Sequence, residues 1–471
     1  MNYCCCSLSF SNRQNDIRSC SKPDIASEST PLLATTQPQK EPLFVLPSLP
    51  AFTTLPSLSH PVIMSSNAEE HIAVQRFREY LRIKTVQPNP DYAGAKAFLE
   101  SYAKELGLAF RSIEMVPGKP ICILSWVGTH PEMKSIMLNS HIDVVPVSEA
   151  SWSNPPFAAD KLPNGDIVAR GAQDMKCVGI GYLEAIRMLK AKGVQLQRTL
   201  HATFVPDEEI GGHDGMKLWV LTDDFKSLNV AFVLDEGLAN SEDAYKVYYG
   251  ERAPWWMKIV AKGGAGHGSQ FIEPSATERL IRVLAKFVAF RDSEKQRLAV
   301  CRNEFGRKLR IGDVTTTNIT MLNSGVQFNV VPEEAWAGVD MRVSTSVDLV
   351  SFRNQVTQWC TDEGASLEFV QVFMSNACTP LTKDNVWWKA IQEVSKARNV
   401  TIDPEIFPAA TDSRFIREIG LPAIGISAIR KTPVLLHDHN EYLNENMLIE
   451  GVEFYAELLP AIANIPTSLA A

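Results

Sequence analysis

Three short apolar segments of this chain each run directly into acidic or histidine residues, and this pattern constrains the fold more than any other. The segments and the residues that follow them are Ser135–Leu138 with His141 and Asp143, Leu200–Val205 with Glu208 and Glu209, and Val230–Leu234 with Asp235 and Glu236. Their length and apolar content are typical of buried β-strands. In open α/β sheets ligands bind beyond the carboxyl ends of the strands, so we expect these polar residues to converge at one edge of one sheet.

Helical patterns alternate with the strand-like segments from Met64 onward. Residues Cys177–Lys192 place apolar side chains on one broad face and end at Gly193, as an amphipathic helix does. Ala423–Ile426 is a further strand candidate. This alternation predicts an α/β fold with a largely parallel mixed sheet flanked by helices.

The pattern changes between residues 251 and 370, where strand-like stretches surround two helical ones. The stretches are Trp255–Ala261, Thr315–Leu322, Glu334–Arg342 and Ser366–Val372, with helical patterns at Ala276–Arg291 and Val347–Glu363. We therefore predict a small α+β domain at 251–370, inserted between the two parts of a larger domain at 64–250 and 371–471.

Residues 1–63 differ from the rest of the chain because they contain no glycine, are rich in Ser and Pro, and lack sustained apolar periodicity. We predict that this segment is disordered. It has neither the apolar region of a secretory signal nor an Arg-rich amphipathic helix, so we expect a cytoplasmic protein. Organelle targeting and an alternative start at Met64 remain open alternatives.

Composition excludes several classes of function. The 471 residues are 45% hydrophobic and 21% charged, as in ordinary globular proteins. With 46 Lys+Arg against 54 Asp+Glu, the net charge of -8 has the wrong sign for a general binder of nucleic acid. No apolar run approaches the roughly 20 residues of a membrane-spanning helix. The nine cysteines lack the spacing of zinc ribbons or disulfide scaffolds, which favours free thiols in a reducing compartment.

A lone His-x-Asp is more often a surface pair, and adjacent glutamates usually form a solvated face. Carboxylates after three neighbouring strands would repel one another unless cations neutralised them, and two divalent ions would do so. His141 and Asp143 are two residues apart on an extended chain and share one face, so we expect the Asp143 carboxylate to orient the His141 ring.

Seven motifs occur in the order found in the dinuclear zinc peptidases, and the chain resembles this family over residues 64–471. The motifs are His141-Ile-Asp143, Arg170-Gly-Ala-Gln-Asp174-Met-Lys, Pro206-Asp-Glu208-Glu209-Ile-Gly-Gly, Asp235-Glu236-Gly237, Asn329-Val-Val-Pro332, Asp340-Met-Arg342 and His437-Asp-His-Asn440-Glu441. The family includes carboxypeptidase G, succinyl-diaminopimelate desuccinylase and the aminoacylases. The chain is most similar to the aminoacylases, at Gly171-Ala-Gln-Asp-Met-Lys-Cys, Arg252-Ala-Pro-Trp-Trp and Pro408-Ala-Ala-Thr-Asp-Ser-Arg414.

The resemblance implies two Zn²⁺ ions per subunit. One ion would take His141, Asp174 and Glu236, and the other would take Asp174, Glu209 and His437, with Asp174 bridging the two. Nitrogen and oxygen ligands of this kind suit zinc, and the three carboxylates offset most of the charge of the two ions.

Glu208 is the candidate general base. Neighbouring side chains of an extended segment point apart, so Glu209 can bind metal while Glu208 faces the reacting water. The resemblance implies the same role for Glu208.

Two further residues, His267 in a glycine-rich loop and Arg342 in a strand-like stretch, gain a role only through the resemblance. Taken alone, His267 is a histidine in a flexible glycine loop and Arg342 is a surface ion-pair residue. The resemblance implies that His267 stabilises the oxyanion in the partner's active site, which requires a homodimer. It also implies that Arg342 holds the substrate carboxylate, with Asn329 donating a hydrogen bond nearby.

Thr411 and Asp412 would border the leaving amino acid, by the same resemblance. Trp255 and Trp256 are expected to pack in the core or in an interface.

The resemblance implies an amidohydrolase that cleaves N-acyl-L-amino acids with neutral side chains. One alternative is a dipeptidase or carboxypeptidase on the same scaffold, although the sequence reveals no acid that would pair a substrate ammonium. The other is an inactive dimeric scaffold protein, which the presence of all five implied ligands and of Glu208 disfavours.

Overall fold

A computed structural model of the chain describes residues 70–303 and 306–469, so the predictions for residues 1–63 lie outside it. The helices of the described residues are α1 Ile72–Arg82, α2 Tyr92–Leu106, α3 Lys176–Ala191, α4 Met216–Trp219, α5 Asp223–Ser227, α6 Ala276–Val300, α7 Leu349–Thr361, α8 Val386–Ala397, α9 Ser413–Glu418 and α10 Glu445–Ala463.

The strands begin and end close to where the apolar patterns do. They are β1 Ala109–Val116, β2 Lys119–Trp126, β3 Ser135–His141, β4 Asp160–Lys161, β5 Asp166–Val168, β6 Leu200–Val205, β7 Val230–Asp235, β8 Ala244–Glu251, β9 Ala253–Lys262, β10 Gly266–His267, β11 Thr316–Ser324, β12 Val330–Val331, β13 Glu334–Val343, β14 Ala365–Val372, β15 Thr401–Phe407, β16 Ala423–Gly425 and β17 Tyr442–Asn444.

The largest sheet has eight strands in the order β1-β2-β6-β3-β7-β16-β8-β15. Its central strands β6, β3, β7 and β16 are parallel, whereas β2 is antiparallel to β6 and β8 is antiparallel to β16. The carboxyl ends of β6, β3 and β7 therefore lie at one edge. This confirms the predicted α/β fold with a mixed sheet, whose parallel part is its centre.

Both faces of the sheet are covered, which explains why the central strands are apolar throughout. All seven residues of β3 are buried. Leu138 packs in the cluster formed with α3 and α10, and its neighbour Met137 packs on the other face with Trp219 and Phe415.

Helix α3 lies close against the sheet, and a glycine makes this approach possible. A Cβ atom at Gly179 would lie 2.7 Å from the Phe204 ring and 2.9 Å from the Ser140 hydroxyl. Because α3 begins just after Asp174, this contact holds the segment that carries Asp174 near the strand ends.

The second sheet is antiparallel, with the order β11-β13-β9-β14, and α6 and α7 pack on one face of it. On β13, Val339 and Met341 face the helices, whereas Asp340 and Arg342 lie on the open face. The predicted strands and helices of residues 251–370 are all present, and α6 continues to Val300. Whether these residues act as a separate domain stays a prediction.

Of the two tryptophans, Trp255 packs in the core, and the packing of Trp256 in an interface stays a prediction. Trp255 is fully buried, but Trp256 is 44% exposed. Adjacent strand residues point to opposite faces, so only one of the two rings can face α6 and α7.

Within the described part of the chain, no helix has both the length and the apolar character needed to cross a membrane. All five cysteines in this part are free thiols.

Candidate metal centre

The carboxyl edge of the large sheet gathers the predicted ligands. His141 is the last residue of β3, and Glu236 follows the last residue of β7. The His141 Nε2 atom lies 3.0 Å from Asp174 Oδ1 and 3.6 Å from Glu236 Oε2. These three buried side chains form the first implied ligand set.

Asp174 also belongs to a second group of side chains. Its Oδ2 atom lies 3.2 Å from His437 Nε2, which is 3.1 Å from Glu209 Oε2. Each oxygen of Asp174 thus faces a different histidine. This arrangement suits a carboxylate that bridges two cations.

The prediction that the Asp143 carboxylate orients the His141 ring is wrong. The His141 Nδ1–H group donates to the backbone carbonyl of Asp143 at 2.9 Å, whereas the carboxylate is 3.9 Å away. The carboxylate instead accepts hydrogen bonds from the backbone N–H groups of Glu208, at 3.1 Å, and Glu209, at 3.3 Å, and from the Gln87 amide at 2.8 Å. Asp143 therefore positions the two glutamates.

Glu208 and Glu209 do not lie on an extended segment, contrary to the prediction. They form one turn of 3₁₀-helix, Glu208–Ile210, preceded by Asp207 with φ of 66°. The turn directs both carboxylates toward the predicted ligands. The Glu208 carboxylate converges with His141 and Glu236, and the Glu209 carboxylate converges with Asp174 and His437.

Asp207 is held in its left-handed conformation by side chains from other elements. Its carboxylate accepts hydrogen bonds from the Tyr92 hydroxyl, at 2.8 Å, and from the Lys119 ammonium. Strained backbone of this kind persists where surrounding contacts fix it, and here it fixes the start of the Glu208 turn.

Arg414 lies beside the cluster, although no sequence pattern indicated a role for it. Its guanidinium is buried, donates to the carbonyls of Thr411 and Gly211 at 2.7 Å each, and lies 3.7 Å from Glu208 Oε1. The one sequence feature that could have indicated this role is its place at the end of Pro408-Ala-Ala-Thr-Asp-Ser-Arg414, a segment similar to the aminoacylases.

The electrostatics of the cluster reflect an excess of carboxylates. Burial and then the charge of Glu236 raise the pKa of Glu208 well above its usual range. Burial and the charge of Asp174 raise the pKa of Glu209 to about 7. Hydrogen bonds to Asp174 and Glu209 raise the pKa of His437 to about 10. The cluster therefore stabilises bound positive charge.

The donor set fits divalent cations. Two imidazoles and four carboxylates converge, with Glu208 among the carboxylates, and the buried Oε1 atom of Glu209 has no hydrogen-bond partner among the described residues. Nitrogen and oxygen donors in this ratio are ligands that zinc accepts.

Arg342 is paired within its own sheet. Its guanidinium makes a two-pronged ion pair with Asp340 at 3.0 and 3.1 Å, and Asp340 also accepts a hydrogen bond from the Trp256 indole at 2.7 Å. The side chain is 26% exposed, so one side of it remains accessible.

His267 and Asn329 lie together on adjoining segments of the smaller sheet region. Strand β10 pairs with β12, Gly268 N–H donates to the Asn329 carbonyl at 2.8 Å, and the His267 ring is exposed. Within residues 70–303 and 306–469, no hydrogen bond or ion pair of His267, Asn329 or Arg342 reaches the metal-ligand cluster.

Thr411 and Asp412 are both buried near the cluster. The Thr411 hydroxyl donates to Glu251 at 3.3 Å. Neither carboxylate oxygen of Asp412 has a hydrogen-bond partner in the described structure. Burial and the charge of Asp235 raise the pKa of Asp412 to about 8.

Comparison with known proteins agrees with this geometry. The sequence model of Peptidase family M20/M25/M40 matches residues 137–461. The chain belongs to this family. It is 51% identical to Aminoacylase-1 of Mus musculus and 50% identical to Aminoacylase-1 of Homo sapiens, each over 400 residues that make up 84% of this chain and 97% of the relative. Aminoacylase-1 of Dictyostelium discoideum is 44% identical, covering 85% of this chain and 99% of its own length.

Solved structures of the family share the fold. The metallo-carboxypeptidase Sso-CP2 from Sulfolobus solfataricus superposes with a TM-score of 0.65 at 18% identity, covering 83% of this chain and 99% of its own. Human carnosine dipeptidase 1 gives a TM-score of 0.59 at 16% identity, covering 83% and 96%. The predicted resemblance to the aminoacylases, the α/β fold and the assignment as a hydrolase of amide bonds are confirmed.

Proposed function

We propose that the protein is a dizinc amidohydrolase that cleaves N-acyl-L-amino acids, with neutral side chains preferred, to a carboxylate and a free L-amino acid. The observation that carries the proposal is the position of Asp174, whose two oxygens face His141 and His437. Relatives named Aminoacylase-1 over most of the chain support the substrate class.

Two Zn²⁺ ions would be held by the two groups that share Asp174. His141 and Glu236 complete one set, and Glu209 and His437 complete the other. Bound zinc would polarise the scissile carbonyl and lower the pKa of the attacking water.

Glu208 acts as the general base. Its carboxylate converges with His141 and Glu236 but belongs to neither implied ligand set, so it can take the proton from water and deliver it to the leaving nitrogen. Arg414, 3.7 Å away and fixed by two backbone carbonyls, places a positive charge beside the Glu208 carboxylate.

Arg342 binds the substrate carboxylate, with Asn329 nearby. The guanidinium already presents a fork to Asp340, and a substrate carboxylate would occupy its exposed side. Thr411 and Asp412 border the leaving amino acid, since both are buried beside Arg414.

The protein acts as a homodimer through the domain at 251–370. Strand β11 is an edge of its sheet, and seven of its nine residues are exposed, including Met321 at 57% and Leu322 at 67%. Helix α6 exposes Ile281 at 60% beside it. An open apolar edge favours pairing with a second strand, and a second copy of β11 would extend the sheet.

His267 of each chain then acts in the partner's active site, where it stabilises the oxyanion. Its exposed ring and its lack of a hydrogen bond to the cluster of its own chain, within the described residues, support this placement. We also propose a cytoplasmic location, on the free cysteines of the described part and the sequence of the first 63 residues.

A dipeptidase is the second candidate, and Asp412 is the observation in its favour. A buried carboxylate without a partner could pair a substrate ammonium. Burial and the charge of Asp235, however, raise the pKa of Asp412, which disfavours the charged form that such a pair requires.

The test is a hydrolysis screen on protein of measured metal content. N-acetyl-L-amino acids and dipeptides with the same C-terminal residues are compared at pH 7. We expect kcat/KM to favour the N-acetyl substrates by at least about tenfold. Equal or better hydrolysis of dipeptides would favour the second candidate, and no hydrolysis of either would favour a scaffold protein.

A further inference from the structure

Glu441 gathers the backbone of the segment that carries Asp174. Its carboxylate is fully buried and accepts hydrogen bonds from the N–H groups of Gly171 at 3.0 Å, Gln173 at 2.5 Å and Asp174 at 3.2 Å. A carboxylate that accepts several backbone N–H groups fixes their geometry strongly, because each bond is charge-assisted.

Arg170 forms an ion pair with Glu441 and also contacts the loop that contains His437. Its guanidinium pairs with Glu441 at 2.8 Å, donates to the His437 carbonyl at 3.4 Å and lies 5.2 Å from the centre of the Trp152 ring. Both partners of the ion pair are buried, so either one alone would be an uncompensated buried charge.

The Gln173 side chain joins the same two segments at other points. Its amide donates to the carbonyls of Pro433 at 3.1 Å and Tyr442 at 2.8 Å, and its oxygen accepts from the Leu435 N–H at 3.0 Å. The loop that it holds contains His437, whose φ of 61° is a conformation that needs support from surrounding contacts.

We propose that Glu441, Arg170 and Gln173 are positioning residues that set the distance between Asp174 and His437 and thereby determine the affinity of the second metal site. The inference rests on the proposed dizinc function. His141 and Glu236 sit at the ends of β3 and β7, which the large sheet holds without these contacts. Loss of the contacts made by Glu441, Arg170 and Gln173 should therefore weaken the metal site of Glu209 and His437 more than the metal site of His141 and Glu236.

The experiment measures zinc release from the holoenzyme into a chelator, together with thermal unfolding. In Glu441→Gln, at least one N–H group loses its acceptor and Arg170 loses its counter-charge. In Gln173→Met, the side chain keeps its length but loses all three hydrogen bonds. We expect one of the two Zn²⁺ ions to leave at least about tenfold faster than in wild type, because residues that orient metal ligands contribute at least about tenfold to metal affinity. Added Zn²⁺ should raise the unfolding temperature of the variants.

Glu184→Gln is the matched control. Glu184 is equally buried and pairs with Arg187 at 3.0 Å, but it does not contact either ligand segment. This variant should lose thermal stability while releasing zinc at the wild-type rate. Folded Glu441→Gln or Gln173→Met protein that retains both ions with wild-type kinetics overturns the proposal, and Gln173→Met decides if Glu441→Gln does not fold. The assay needs no substrate, so it is independent of which amide is cleaved. A wild-type chain that holds no zinc overturns the dizinc function and this inference with it.

Discussion

The Nε2 atom of His437 lies 3.2 Å from the Oδ2 atom of Asp174, although the two residues are far apart in the chain. Asp174 is held at the start of α3 and His437 on a loop before β17. Their approach turns two separate groups of ligands into one centre with a shared carboxylate.

Replacing the shared carboxylate should affect both zinc ions. Asp174→Asn keeps the size of the side chain but removes its charge and turns an N–H donor toward one of the histidines. We expect zinc content to fall from about two ions per chain to fewer than one. The control is Asp403→Asn. Asp403 lies on β15, where its carboxylate pairs with Lys246 and Arg310, and this variant should retain both ions. Two ions retained in Asp174→Asn would contradict the bridge.

The role of Arg342 predicts a kinetic split. Arg342→Ala should raise KM by at least about tenfold with a smaller change in kcat, because a carboxylate clamp acts in the ground state as well as in the transition state. Arg342→Lys should recover part of the loss, since it keeps the charge but not the fork. A change in kcat alone would place Arg342 outside substrate binding.

The shared active site predicts complementation between two inactive variants. Glu208→Gln and His267→Ala homodimers should each be nearly inactive. After dissociation and random re-pairing of equal amounts, about half of the dimers are mixed, and in each of these one site carries both substitutions and the other carries neither. Roughly a quarter of wild-type activity should return. Mixtures that stay inactive, while wild-type subunits survive the same treatment, would show that His267 does not act across an interface.

His201 gives the fold a dependence on pH that is separate from the metal centre. Burial and then the charge of Arg111 lower the pKa of His201 from 6.5 to about 4. As the pH falls from 6.5 toward 4, the unfolded chain binds a proton that the folded chain does not, so stability decreases. His201→Gln can keep a hydrogen bond to Ser125 and should remove about 2 kcal/mol of this decrease between pH 7 and pH 5. The free energy of unfolding, measured in urea for both proteins at pH 7 and pH 5, checks this prediction. An equal decrease in the two proteins would contradict it.

Much of the site could be predicted because it depends on local pattern. The strands β3, β6 and β7 are marked by apolar runs, and parallel strands bring their carboxyl ends together. His141, Glu209 and Glu236 therefore converge as expected.

The remaining features depend on contacts between distant residues, which a local pattern does not contain. The turn at Glu208 follows from Asp207, whose backbone conformation is fixed by Tyr92 and Lys119. The His141 ring is oriented by a backbone carbonyl, which any residue type could supply. For this reason the sequence could predict which candidate ligands lie together but not which contacts hold them.

Glu208 and Glu209 have different roles in the proposed mechanism, and one pair of variants separates these roles. Glu208→Gln is nearly isosteric but cannot take a proton, so kcat on an N-acetyl amino acid should fall by at least about 10²-fold while zinc stays near two ions per chain. Glu209→Gln should lose activity together with the second zinc ion. Equal loss of zinc in both variants, or a Glu208→Gln enzyme with wild-type kcat, would contradict the roles of general base and metal ligand proposed for Glu208 and Glu209.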